Sequence, residues 1–190
     1  MSLVTCHFKK MLIAQEKRKT NIAEYILYMW QVEDLIRAHK FNIDLIEQNL
    51  ISQYSQPAKI KNDVRDWYAN LMLMMYQEGI QEKGHLSILK TLINEMTDLH
   101  IRLLNHEEEY DYHEIHRKAT INMEEFRRKS GDHTTGDIET SLNALYGLLL
   151  LRLKKQSVSR ETEMAMASFS RLLALLSHKF LQAERGEREI

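Results

Sequence analysis

The sequence predicts an all-α fold, a single-domain bundle of six to seven helices over residues 1–190. Three observations carry that expectation. Only 6 Gly and 1 Pro punctuate 190 residues, so little of the chain is given to turns. The strong helix formers Ala, Leu, Glu, Lys, Arg, Gln and Met dominate. Apolar residues recur at three- and four-residue spacing, the period of a helix with one buried face. The length suits one domain with a proper core.

The elements follow in order. A first helix is expected from about 13 to 38, ended by Phe41-Asn42-Ile43-Asp44, and a short second one over about 43–53. Pro57 opens a third at about 58–78, because proline fits a helix's first turn. Gly79 and Gly84 break the chain before a fourth at about 85–105. The fifth covers about 107–129. The cap- and turn-rich stretch SGDHTTGD (130–137) is the clearest loop, and Thr135 or Asp137 can cap a sixth helix to about 155. Ser157 or Ser159 caps a seventh to about 183, and residues 184–190 read as a frayed tail.

Charge and composition exclude several classes. Against 26 basic residues stand 27 acidic ones, for a net charge of -1, so no basic field exists to attract nucleic acid or an anionic membrane. The single cysteine, Cys6, excludes an internal disulfide framework and favours a cytoplasmic setting. The first ten residues lack the apolar core of a signal peptide; they read as an extension or a disordered segment, with Met11 an alternative start. The most apolar run, LNALYGLLLLRL (142–153), is too short to span a bilayer.

Stepping about 100° per residue along each helix asks which polar groups fall inside an apolar stripe. Glu33 falls among Ile22, Ile26, Met29 and Ile36, with Arg37 one turn on. Glu78 ends the face made by Ile60, Val64, Trp67, Leu71, Met74 and Met75. His100 lies within the Leu92, Met96, Leu99 and Leu103 arc, and Arg152 lies in the stripe of Ile138, Leu142, Leu145 and Leu149. A buried charge is costly unless paired. Glu33, Arg37, Glu78, His100 and Arg152 are therefore expected to pair across the core, for example Glu33 with Arg152 or Arg37. Otherwise they line a polar pocket between helices, where bundles build ligand and metal sites.

Residues 106–116, HEEEYDYHEIH, concentrate imidazoles and carboxylates. Glu109, His113 and His116 share one flank of the fifth helix at spacings of four and three, close enough to hold one ion. Three ligands on one exposed flank make an adventitious site more readily than an enclosed one. The stretch is expected to be a solvated helix face, with these three residues a surface candidate.

Other chemistry is thin. A di-iron bundle needs two Glu-x-x-His pairs, and Glu82 to His85 has that spacing once, beside a glycine. There is no His-Glu-x-x-His, no phosphate-binding glycine loop and no nucleophile elbow, so no cofactor is assigned. Arg128 with His133 and Arg171 with His178 have spacings found in helical ribonucleases, but read as ordinary surface. Met72, Met74 and Met75 make the third helix apolar almost all round, as expected of a central helix or of a partner-binding one.

MLIAQEKRKTNIAEYILYMWQVEDLIRA (11–38), EKGHLSILKTLINEM (82–96), LNALYGLLLLRLKK (142–155) and LLALLSHKF (172–180) resemble an uncharacterised bacterial family of unknown function. The resemblance covers nearly the whole chain from Met11. It implies a small cytosolic helical protein and brings no reaction, cofactor or catalytic residue.

Two functional readings remain open, and neither settles whether the protein is an enzyme. One is a non-enzymatic bundle that binds a protein partner or itself, as a homodimer, with no nucleic acid and no membrane. The other is a bundle that binds a metal or small ligand in a polar pocket between helices.

Overall fold

The computed structural model describes residues 9–53, 57–131 and 135–187. Every regular element among them is helical: α1 (Lys9–Thr20), α2 (Ile22–Ala38), α3 (Ile43–Ile46), a π-helical stretch (Glu47–Ile51), α4 (Ala58–Gln77), α5 (Ser87–Asn105), α6 (Tyr110–Ser130), α7 (Asp137–Leu153) and α8 (Arg160–Glu184). The all-α class holds, with eight α-helices among the described residues in place of six or seven.

The extra helix comes from a break at Asn21 in the long first helix. Thr20 and Asn21 are residues that bond nearby backbone in non-helical conformations, which makes them poor helix interior and good boundaries. The short second helix also divides. Lys40 and Phe41 sit at φ 54° and 55°, in the left-handed region, and turn the chain sharply after α2. The Asn42 side chain then accepts from the amides of Asp44 (3.0 Å) and Leu45 (3.1 Å) and so caps α3. From Glu47 the helix widens, and the Ser52 amide reaches back five residues to the Glu47 carbonyl. Pro57 stands as the residue before α4, and Gly131, at φ 73°, ends α6 where a side chain would be strained.

The backbone falls into two compact units. The first takes α1 as far as Lys19 and then Glu24–Lys90. In it α4 packs on α3 and the π-helical stretch, burying Val64, Tyr68, Leu71 and Met75. Arg65 clips the same elements together, 2.7 Å from Glu47 and 3.2 Å from Asp44. The buried face of α4 lies one residue round from the expected one, because Tyr68 is inside and Met74 outside. Leu73, Met74 and Tyr76 are exposed, so α4 is not a central helix.

The second unit takes Thr20–Ala23 and the chain from Thr91 onward. Here α6, α7 and α8 pack pairwise. Their core includes Ala119 and Met123 of α6, Ile138 and Leu142 of α7, and Phe169, Leu172 and Leu176 of α8. Phe126 meets Phe169 edge to face at 6.3 Å. The Ser177 hydroxyl accepts from the Ala23 amide at 3.1 Å and so caps the first turn of α2 from 154 residues away. Among the described residues no helix is long and apolar enough to cross a membrane.

Candidate metal centre

The polar residues singled out by periodicity go to different places. Glu33 is buried at 1% exposure, as its stripe requires. Its partners, however, are neither Arg152 nor Arg37. Its Oε2 lies 2.6 Å from His85 Nδ1, and its Oε1 accepts from the Leu86 amide at 2.9 Å. Trp30 stacks on the His85 ring at 4.3 Å. Arg37 pairs with Asp34 at 2.9 Å and donates to the carbonyls of Ile80 and Gly84. Glu33 and Arg37 thus tie down the glycine-punctuated loop before α5.

Glu78 is exposed rather than inward. It accepts from the Ser87 amide (2.7 Å) and hydroxyl (2.8 Å), an anion at the amino end of α5. Arg152 is also exposed. It lies in the last turn of α7, next to Leu151 and Leu153, which are exposed too. At this end of α7 the helix is open to solvent.

The flank of Glu109, His113 and His116 does not form one site. Glu109 precedes α6 and is buried at 4% exposure, with its Oε2 2.6 Å from Lys179 Nζ. His113 Nε2 lies 3.1 Å from the His106 carbonyl. His116 turns the other way, toward α7. Of the ribonuclease-like pairs, Arg171 and His178 are exposed surface, and His133 lies outside the described residues.

What the fold does assemble is a constellation drawn from α5, α6 and α7. His100 and His116 both turn Nε2 toward Asp137 Oδ2, at 3.6 Å and 2.7 Å. Among the described residues these three are the one group of at least three histidines and carboxylates whose ligand atoms lie within 4.8 Å of one another. Arg127 holds the other carboxylate oxygen, Oδ1, at 2.7 Å, and also donates to the Thr135 carbonyl at 2.9 Å. On the far side of His100, Nδ1 lies 2.6 Å from the buried Tyr112 hydroxyl. His100 is 5% exposed, while the His116 and Asp137 side chains are 19% and 25% exposed, so the centre is enclosed on one side and wet on the other.

Each position has a local cause. Asp137 is the first residue of α7, where a carboxylate faces the positive end of the helix dipole. His100 sits on the apolar arc of α5. Tyr112 and His116 are four apart, hence on one face of α6. The imidazoles of His100 and His116, followed by the Arg127 guanidinium, hold the Asp137 carboxyl well below the usual carboxylate range against the opposing effect of burial. Burial, and then the Asp137 charge, push the Tyr112 phenol above its ordinary value, so it keeps its proton.

Two proton arrangements follow for His100. With the Tyr112 hydroxyl donating to Nδ1, the ring proton sits on Nε2 and faces Asp137. With Nδ1–H donating to the Tyr112 oxygen, the Nε2 lone pair faces the space shared with His116 and Asp137 and is free for a cation. The donor set, two imidazole nitrogens and one carboxylate oxygen, suits divalent zinc, iron or manganese.

Sequence reasoning found His100 and His116 but placed them in separate candidate sites. Asp137 was legible only as a helix cap, and Tyr112 was not singled out. No spacing rule joins residues 100, 112, 116 and 137.

Fold and site together define an all-helical protein with an inter-helical His–His–Asp centre backed by tyrosine and arginine. The chain belongs to the DUF4924 family, described as a domain of unknown function, whose model matches residues 11–187. Comparison with the curated proteins and with the solved structures yields no match.

Proposed function

We propose that this protein binds a divalent first-row transition metal, zinc fitting best, through His100 Nε2, His116 Nε2 and Asp137 Oδ2. The observation that carries the reading is the convergence of these three atoms. Ligands about 2.0 Å from a tetrahedral zinc lie roughly 3.3 Å apart. The two nitrogen–oxygen separations, 3.6 Å and 2.7 Å, bracket that value, and all three ligand atoms lie within 4.8 Å of one another. Tyr112 orients His100 from behind, as outer partners of metal-bound histidines do. Arg127 holds the other oxygen of Asp137 in place, while its own charge moderates affinity for a dication. Three protein ligands leave one position open on the wetter side, as catalytic zinc sites do and closed structural ones do not.

Calorimetric titration of the untagged, metal-stripped chain with zinc tests this. One ion per chain is expected, with the affinity lost in His116→Ala and weakened about 10- to 100-fold in Tyr112→Phe. Binding that is far below one ion per chain, or that His116→Ala leaves unchanged, overturns it.

A second reading, association with a protein partner or a second copy, is favoured by α4, where Leu73 and Tyr76 are 54% and 68% exposed. Sedimentation equilibrium tests self-association: a dimer that Leu73→Glu dissociates supports it, and a monomer at all concentrations removes it.

A further inference from the structure

Thr120 stands one turn on from His116, on the same face of α6, beside the more exposed of the two histidines. It is half-buried, and its Oγ1 lies 3.4 Å from His116 Nε2. That separation is close to the roughly 3.3 Å between neighbouring ligands of a tetrahedral zinc. The hydroxyl is therefore within reach of whatever an ion on Nε2 carries next to His116.

Two facts decide what the hydroxyl does there. A neutral hydroxyl is a poor zinc ligand beside imidazole and carboxylate, so Thr120 does not itself fill the fourth position. Its proton is also committed. Oγ1 donates to the His116 carbonyl at 2.9 Å, the bond a helical threonine makes to the residue four before it. His116 Nε2, at 3.4 Å, is too distant for a good hydrogen bond and lies nearer Asp137 Oδ2, at 2.7 Å. What the Thr120 oxygen offers the centre is lone pairs, and lone pairs only accept.

We infer that Thr120 selects the ligand at the ion's fourth position: a proton-bearing oxygen, as in water, hydroxide or an alcohol, and not an aprotic anion. The inference rests on the metal-binding reading. A proton-bearing ligand bridges the ion and Thr120, donating to Oγ1. An aprotic anion brings its lone pairs against those of Thr120 with no proton between them. It gains a donor only if the hydroxyl turns and gives up the His116 carbonyl. One hydrogen bond lost in this way corresponds to about a tenfold loss of affinity.

Cobalt(II) in place of zinc tests this, because its visible absorption reports both that the ion is bound and which ligands it carries. The untagged, metal-stripped full chain and its Thr120→Val, Thr120→Ala and Thr120→Ser variants are loaded with cobalt and titrated with thiocyanate, an aprotic anion. Valine and alanine at this position should hold cobalt as tightly as the parent and bind thiocyanate about tenfold more tightly. Serine keeps the hydroxyl and should behave as the parent does. Thiocyanate affinity that is equal in all four cobalt-loaded proteins overturns the inference and leaves metal binding intact. Loss of cobalt from both the valine and the alanine variant, but not from the serine one, overturns it by making Thr120 a ligand. A parent chain that binds no cobalt removes the metal reading and this inference together.

Discussion

Glu109 Oε2 and Lys179 Nζ lie 2.6 Å apart, both buried, joining the start of α6 to the last third of α8 across 70 residues of sequence. Removing either partner takes away the ion pair that the other makes at a buried position. Burial already pushes the Lys179 ammonium below the usual lysine value, with Asp111 pulling the other way. Glu109→Ala or Lys179→Ala should each cost about 3–5 kcal/mol. The double variant Glu109→Leu, Lys179→Met should recover most of that loss, since apolar packing often replaces a buried pair at little cost. Urea unfolding of the four proteins gives the comparison; a double variant less stable than either single one refutes it.

Glu33 is the acceptor that holds the loop before α5. Glu33→Ala leaves the Leu86 amide buried without a partner and should cost about 1–3 kcal/mol. Glu33→Gln keeps an acceptor for that amide and should lose less. Thermal melts of both variants measure the difference, and the prediction fails if the alanine variant melts with the parent.

Arg152 is the counter-example. Exposed at the end of α7, it should tolerate alanine within about 0.5 kcal/mol in the same melts. A loss of several kcal/mol would mean that Arg152 is inward after all.

Asp137 sets the response to acid. Its folded value lies below the unfolded one of about 3.9, so the ionised carboxylate contributes stability above that pH and loses it as the pH falls toward the folded value. Asp137→Asn should therefore be less stable than the parent at about pH 7, by about 1.5–3 kcal/mol for charged hydrogen bonds lost. The gap should narrow steadily below about pH 4. Denaturant unfolding across that range decides it, and a gap independent of pH means that the charge of Asp137 does not matter.

Much was legible along the chain. Proline, glycine and cap residues bounded α4 and α5, and Ser159 does accept from the Thr162 amide to start α8. Phe169, Leu172, Leu173 and Leu176 of α8, spaced three and four apart on one face, are all buried. Glu33 and His100 are inside for the same reason: a residue's angle on its own helix depends only on local geometry. The breaks at Asn21 and within residues 43–51 were missed, because a one-residue interruption and a widened turn barely disturb the apolar period.

By itself, then, the sequence determined the helices and the direction in which each side chain leaves its axis, because both are local properties of the backbone. Only the tertiary structure decided which residues meet and which faces are covered. Arg152 points along an apolar stripe but is open to solvent at the end of α7. Glu109 looks exposed on its flank, yet Lys179 of α8 closes over it. His100, His116 and Asp137 come together only because α5, α6 and α7 converge, and that convergence is set by packing among apolar faces that carry no mark of the polar partners they bring into contact.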